Sequence, residues 1–297
     1  MEPGKKGAAV FVEPHSDDAA LAAGHLIKRG VLGKKVVILT LFGRSILLTR
    51  GAFPFFPRHL IDALRLGIRD TFAHLNTPHT TEKNTCLCPY HAITQPDCAG
   101  IRYRGNLVGY LLLSLFTNIR RAEDDDFANF AGASRLDLGL LDHKFRVDAV
   151  GTGVRDPLAG RLGRVAGCTL NMLERLEPKV TLLVARWPYG KRVHPHHDFS
   201  FRLSCELSRT LEVPLYLVDD IPYTRRPQDR EFINELTGAR YRATVYSMTK
   251  KDFEDKIRMV RVFRSQPVGP YLDFLAKPLP GDDRPSETLW VPQETPS

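Results

Sequence analysis

The amino-acid sequence predicts an α/β protein in which helices cover both faces of a mostly parallel sheet. Three apolar runs rich in β-branched residues support this prediction, at residues 7–12, 35–42 and 180–185. Runs without polar alternation are typical of parallel strands that are buried on both faces. Segments of helical composition separate the strands, and such strand–helix–strand units close as right-handed crossovers. The predicted architecture is a Rossmann-like, three-layer α/β/α fold.

The remaining elements follow from composition and from breaks in the pattern. Asp17 and Asp18 suit the start of a helix, where the helix dipole is positive. Glu177-Pro178 ends a later helix, because a residue before proline avoids the helical conformation. We expect helices at 19–27, 57–66, 156–176, 197–210 and 250–263, and further strands at 71–75 and 214–218. The proline-rich tail that begins at Lys277 predicts partly irregular structure.

Residues 76–154 break the alternation of strands and helices. They contain an apolar helix candidate at 106–118 and the acidic run 123–126, which we interpret as a solvated helix face. The prediction is one domain over residues 1–297, with 76–154 inserted in it and packed on the sheet. We expect this insertion to cover the carboxyl edge of the sheet, where a substrate would enter.

Charge and composition exclude several classes of function. The net charge of +8 is spread along the chain, without the clustered module of a nucleic-acid-binding protein. No apolar run is long enough to span a membrane. The apolar stretch after Lys5 and Lys6 stops at Glu13, too early for a signal peptide, so we expect a cytoplasmic protein. The first strand lacks a glycine-rich fingerprint, which disfavours a dinucleotide cofactor.

The five cysteines are expected to be thiols rather than a disulfide framework. Cys168 and Cys205 fall in helix candidates and suit small core positions. A tighter group in the insertion allows either a structural zinc site or ordinary loop thiols, and it consists of Cys86, Cys88, His91 and Cys98.

Two polar motifs each follow a predicted parallel strand. The first, Pro-His-Ser-Asp-Asp, occupies residues 14–18. His15 and Asp18 can point at one metal across a turn, while Asp17 faces a bound water; capping of the next helix is the structural alternative. The second motif, His-Pro-His-His, occupies residues 194–197 after the 180–185 strand. Because parallel strands present their carboxyl ends at one edge, the two motifs together predict a three-ligand metal site there.

These motifs resemble the PIG-L/LmbE-like zinc-dependent N-deacetylases, whose corresponding signatures are Pro-His-Pro-Asp-Asp and His-Pro-Asp-His. The similarity extends over most of 7–75 and 156–290, through Leu66-Gly67-Ile68, Trp187-Pro188 and Arg264-Ser265-Gln266. It does not include the insertion.

The resemblance implies a role for each matching residue. His15, Asp18 and His197 would bind Zn²⁺, Asp17 would act as the general base toward water, and His194 would stabilise the oxyanion or donate a proton. The implied reaction is N-deacetylation of a small molecule that contains an N-acetylaminosugar, with natural-product biosynthesis as the setting.

Two positions differ from the family pattern. Ser16 replaces a proline, and His196 replaces the aspartate that orients the first histidine of the second motif. We expect Asp198 or another carboxylate to take over that role for His194. Two alternatives stay open: hydrolysis of a non-sugar amide in a specialised-metabolite pathway, and a non-catalytic member that binds a metal or a ligand.

Overall fold

The computed structural model describes residues 7–43, 107–140, 162–187, 195–221, 237–265, 269–277 and 283–293. The strands in these ranges are β1 (Ala8–Glu13), β2 (Lys35–Thr40), β3 (Ser134–Asp137), β4 (Val180–Arg186), β5 (Leu215–Val218), β6 (Arg240–Ser247) and β7 (Ser286–Gln293). The helices are α1 (Asp18–Lys28), α2 (Leu107–Ala131), α3 (Leu162–Leu173), α4 (Pro195–Leu211), α5 (Lys250–Arg261) and α6 (Gly269–Ala276).

The strands form one sheet in the order β3-β2-β1-β4-β5-β7-β6. The first five of these are parallel neighbours, whereas β7 runs antiparallel to both β5 and β6. The predicted fold class, an α/β fold with a mostly parallel sheet, is confirmed.

Both faces of the central strand β1 are covered, which explains its unbroken apolar sequence. Val10 and Val12 belong to the core cluster that contains α3 and α4. Ala9 and Phe11 belong to the opposite cluster, which contains α1, α2 and α5. The alternation of a strand's side chains therefore divides the core into two layers around the sheet.

The order of the strands reverses between β1 and β4. The chain passes from β1 through β2 to β3 on one side, then returns to place β4 and β5 on the other side. The connections lead to helices on opposite faces, so the strand order reverses at the carboxyl ends of β1 and β4. Ligands of open α/β sheets bind at such a reversal point, and both sequence motifs follow these two strands.

The structure differs from the predicted elements at the edges of the sheet. Strand β3 lies within the range predicted as an insertion, and α2 continues through the acidic run. The tail is expected to be partly irregular, and the structure shows that it also contains the strand β7, which pairs with β5 and β6. The predicted elements at 57–66 and 71–75 lie outside the described residues. The division into one domain with an insertion at 76–154 stays a prediction.

None of the helices in the described ranges combines the length and the apolar character needed to cross a membrane.

Candidate metal centre and active site

Glu13 helps to hold the loop after β1 and the start of α1. The buried Glu13 carboxylate accepts hydrogen bonds from Thr40 Oγ1 at 2.6 Å and from the backbone N–H of Ala19 at 2.8 Å. It therefore satisfies a free N–H group at the start of α1. Asp17, at the N-cap position, makes no capping hydrogen bond with its side chain. Helix capping thus does not explain the aspartate pair.

The structure brings His15, Asp18 and His197 together at the carboxyl ends of β1 and β4. Asp18 Oδ2 accepts a hydrogen bond from the backbone N–H of His15 at 2.8 Å and lies 3.4 Å from His15 Nδ1. The same oxygen lies 3.8 Å from His197 Nε2, on the first turn of α4. One ligand atom from each residue lies within 4.8 Å of the others. Two imidazole nitrogens and a carboxylate oxygen are a donor set that suits a divalent metal such as Zn²⁺.

A buried carboxylate orients the second imidazole. Asp220, which follows β5, places Oδ1 3.0 Å from His197 Nδ1. This contact leaves His197 Nε2 directed at Asp18. Histidines that bind a metal commonly donate a hydrogen bond from the other ring nitrogen to such a carboxylate.

Arg186, the last residue of β4, joins the two carboxylates. Its buried guanidinium forms ion pairs with Asp18 Oδ1 and Asp220 Oδ1 and donates to the carbonyl of Ile221. One cation therefore pairs with two buried anions and orients Asp18 so that Oδ2 faces the histidines.

The adjacent aspartates have opposite electrostatic environments. Burial alone would raise the pKa of Asp18, but the charges of Arg186 and His197 outweigh it and hold that pKa well below its usual range. Burial raises the pKa of Asp17, and the neighbouring Asp18 carboxylate raises it further, with partial opposition from His15 and Arg120. Asp18 is thus suited to permanent ionisation, whereas Asp17 is suited to exchange a proton.

His196, which stands where the resemblance places an aspartate, contacts His15. His196 Nδ1 lies 2.8 Å from His15 Nε2, and the ring of His196 is fully buried. Asp198, the expected substitute partner of His194, instead accepts a hydrogen bond from Arg202 Nε at 2.8 Å on an exposed part of α4. His194 itself lies outside the described residues.

Helix α2 places buried carboxyl groups beside the first motif, at residues 14–18. Glu123 and Asp124 are buried, so the expectation of a solvated face is wrong for these two residues of the acidic run. Asp124 is close enough to Ser16 for the hydroxyl to lower its pKa, although burial dominates and raises it. Glu123 accepts hydrogen bonds from the N–H and hydroxyl of Ser265. This part of the range 76–154 thus reaches the loop that carries Asp17.

The remaining sequence predictions concern the cysteines. Cys205 is a buried core residue of α4 and Cys168 is half-buried in α3, both as free thiols. The group of cysteines and His91 in the predicted insertion lies outside the described residues.

Sequence reasoning missed three residues of this site: Glu13, Arg186 and Asp220. Each lies at or just beyond the carboxyl end of a parallel strand. The rule that drew attention to His15 could therefore have found them, but a single charged residue at a strand end lacks the signal of a histidine cluster.

Solved structures with a similar fold include deacetylases of teicoplanin biosynthesis and of the A40926 pseudoaglycone. A deacetylase of teicoplanin biosynthesis, solved as a complex, has a TM-score of 0.59 and 18% identity over 97% of this chain and 99% of its own. The zinc-inhibited form of the teicoplanin deacetylase Orf2 has a TM-score of 0.58 and 18% identity over 97% and 99% of the two chains. The A40926 pseudoaglycone deacetylase Dbv21 has a TM-score of 0.57 and 17% identity over 97% and 98%.

At this level of identity the likeness establishes the fold of the chain. No protein-family model matches the sequence, and a search of curated proteins also finds no match.

Proposed function

We propose that this protein is a zinc-dependent amide hydrolase that removes the acetyl group from an N-acetylaminosugar in a natural product. The proposal is based on the proximity of His15, Asp18 and His197. Asp17 lies beside them, and its side chain makes no capping hydrogen bond to α1. The fold shared with antibiotic deacetylases supports the same class of reaction.

The three ligands have the chemistry of an open catalytic zinc site. His15, Asp18 and His197 would hold the zinc ion, which would supply a Lewis acid for the substrate carbonyl and for water. Arg186 and Asp220 hold Asp18 and His197 in place before binding, so little reorganisation is needed.

Asp17 accepts the proton of the attacking water. Its buried carboxylate has a raised pKa, which brings it closer to the pH at which proton transfer is efficient. Water oxygen forms a bond to the acetyl carbon, the carbon–nitrogen bond breaks, and the proton passes to the departing nitrogen. The products are acetate and a free amine. His194 is proposed to stabilise the developing oxyanion.

The test combines metal analysis with an acetate-release assay on N-acetylaminosugars, on acetylated glycopeptide pseudoaglycones and on non-sugar amides. We expect one Zn²⁺ per chain and release of acetate from a sugar substrate. The Asp18→Asn variant should lose both metal and activity. Asp198→Asn is the matched control, because Asp198 lies on the same helix turn as His197 but pairs with Arg202. Full metal loading without hydrolysis of any substrate would contradict the proposal.

A further inference from the structure

His15 contacts the imidazole of His196, which is itself stacked on the ring of Phe42. His196 Nδ1 lies 2.8 Å from His15 Nε2. On its other side, the His196 ring stacks on Phe42 with ring centroids 3.7 Å apart and an interplanar angle of 8°. Phe42 and His196 are both fully buried, so the stack leaves the His196 ring little freedom to turn.

The geometry assigns the two ring nitrogens of His15 to different tasks. Nδ1 faces Asp18 Oδ2 at 3.4 Å, on the side of the candidate metal site. Nε2 faces away from that site, toward His196. An imidazole that binds a metal through Nδ1 carries its proton on Nε2, so His15 donates this hydrogen bond and His196 Nδ1 accepts it.

We propose that His196 is a positioning residue that holds His15 in its metal-binding tautomer and orientation. This inference rests on the proposed metal site. It also makes the two histidine ligands different, because His197 is held by the anionic Asp220 whereas His15 is held by a neutral ring.

The charges around the site favour an imidazole at this position. The buried carboxylates of Asp18 and Asp220 share the single positive charge of Arg186, and the buried carboxylate of Asp17 lies near Asp18. An additional carboxylate at position 196 would be buried against Phe42 and would repel these groups. A histidine supplies the required acceptor without adding a negative charge.

Two substitutions separate the hydrogen bond from the shape of the ring. His196→Asn keeps an acceptor, because asparagine Oδ1 takes the place of Nδ1. His196→Phe keeps an aromatic ring against Phe42 but removes the acceptor. Both are compared with wild type after loading with Co²⁺, whose paramagnetism shifts the exchangeable ring N–H protons of bound histidines out of the protein envelope in proton NMR spectra.

In the wild type we expect two shifted exchangeable signals, one from His15 and one from His197. In His196→Phe the His15 signal should exchange rapidly with water or disappear, and Co²⁺ affinity should fall by about 10–100-fold. The His197 signal, protected by Asp220, should persist and serves as the internal control. His196→Asn should retain both signals. If His196→Phe does not fold, His196→Leu, which has nearly the size of asparagine, takes its place.

Two results would overturn the inference in distinguishable ways. Unchanged signals and unchanged Co²⁺ affinity in His196→Phe would show that His196 has no positioning role while the metal site stands. Failure of the wild-type protein to bind Co²⁺ would overturn the proposed function, and the role of His196 with it.

Discussion

At the scale of single residues, two adjacent carboxylates with the same chemistry acquire different properties. Asp18 lies against the Arg186 guanidinium, which stabilises its ionised form, while Asp17 has no such close ion pair among the contacts described. The Arg186 ion pair thus specialises Asp18 for metal binding, and burial that nearby cations only partly offset specialises Asp17 for proton transfer.

Substitution Asp17→Asn should abolish most of the activity and leave the metal in place. Only the proton acceptor is lost, so turnover on a confirmed substrate should fall by about 10²–10⁴-fold. Zinc content, measured by atomic emission, should equal that of the wild type. Near-normal turnover would show that another group is the base.

Substitution Asp220→Asn should weaken metal binding. His197 loses its anionic partner, and Arg186 loses one of the two carboxylates with which it pairs. We expect a decrease of about 10–100-fold in Zn²⁺ affinity, measured by competition with a chelator. Asp219→Asn is the matched control: Asp219 is the adjacent residue, and its Oδ1 accepts a hydrogen bond from Trp290 Nε1 at 2.9 Å, which asparagine can keep. Equal affinities for the two variants would contradict the role of Asp220.

At the scale of elements, buried ionisable side chains connect the helices on one face of the sheet. Lys256 of α5 is fully buried, pairs with Glu287 of β7 and donates to the carbonyl of Leu21 in α1. Glu287 also accepts hydrogen bonds from the backbone N–H groups of His25 at 3.1 Å and Leu26 at 2.9 Å. Three elements distant in sequence therefore meet at one ion pair.

Removal of Lys256 should be strongly destabilising. Lys256→Met leaves the Glu287 carboxylate buried without its cation, and the free energy of unfolding in urea should fall by about 3–5 kcal/mol. The control is Lys28→Met, which breaks a pair with Asp255 at 3.0 Å on the protein surface. That change should cost about 0–1 kcal/mol, since both groups are partly exposed and keep contact with water. Comparable losses in the two variants would contradict the argument.

Glu123 should make the stability of the fold depend on pH. Burial raises its pKa from 4.5 to about 7, against the lowering effect of hydrogen bonds from Ser265. Between these values the folded chain holds a proton that the unfolded chain has released. The free energy of unfolding therefore falls as pH rises through this window, by on the order of 3 kcal/mol from this group.

The measurement is urea unfolding of the wild type and Glu123→Gln between pH 4.5 and 8. The glutamine cannot ionise, so the variant should gain stability relative to the wild type as pH rises. Asp126→Asn, an exposed position in the same acidic run, should show no such change. Parallel pH profiles for the wild type and Glu123→Gln would show that Glu123 does not titrate in this window.

At the scale of the whole molecule, the candidate ligands come from both layers of helices. His15 and Asp18 lie at the start of α1 on one face, and His197 lies at the start of α4 on the other. A bound metal would therefore connect the two layers at the point where the strand order reverses.

Metal binding should accordingly stabilise the entire fold. At a free Zn²⁺ concentration of about 100 times the Kd, the free energy of unfolding should rise by about 2.7 kcal/mol relative to the chelator-treated protein. A thermal melt of the two forms measures the effect. His15→Asn should remove most of this difference; a metal-dependent shift that survives in this variant would place the metal elsewhere.

Elements whose pattern is local can be predicted from the amino-acid sequence. Strands β1, β2, β4 and β5 appear as short apolar runs, since burial on both faces demands apolar residues at every position. Helices α1, α4 and α5 were also predicted near their observed bounds. The candidate ligands were identified because histidine and aspartate motifs follow β1 and β4.

Which of these polar residues contact one another depends on the tertiary structure. Arg186 reaches Asp18 across 168 positions of sequence, and His196 reaches His15 across 181. Strands β6 and β7 likewise depend on pairing with distant strands, so neither appears as an apolar run. A local sequence pattern indicates which side chains of one segment are buried. The residue that pairs with a buried charge, and the strand that pairs with an edge strand, depend on the chain topology.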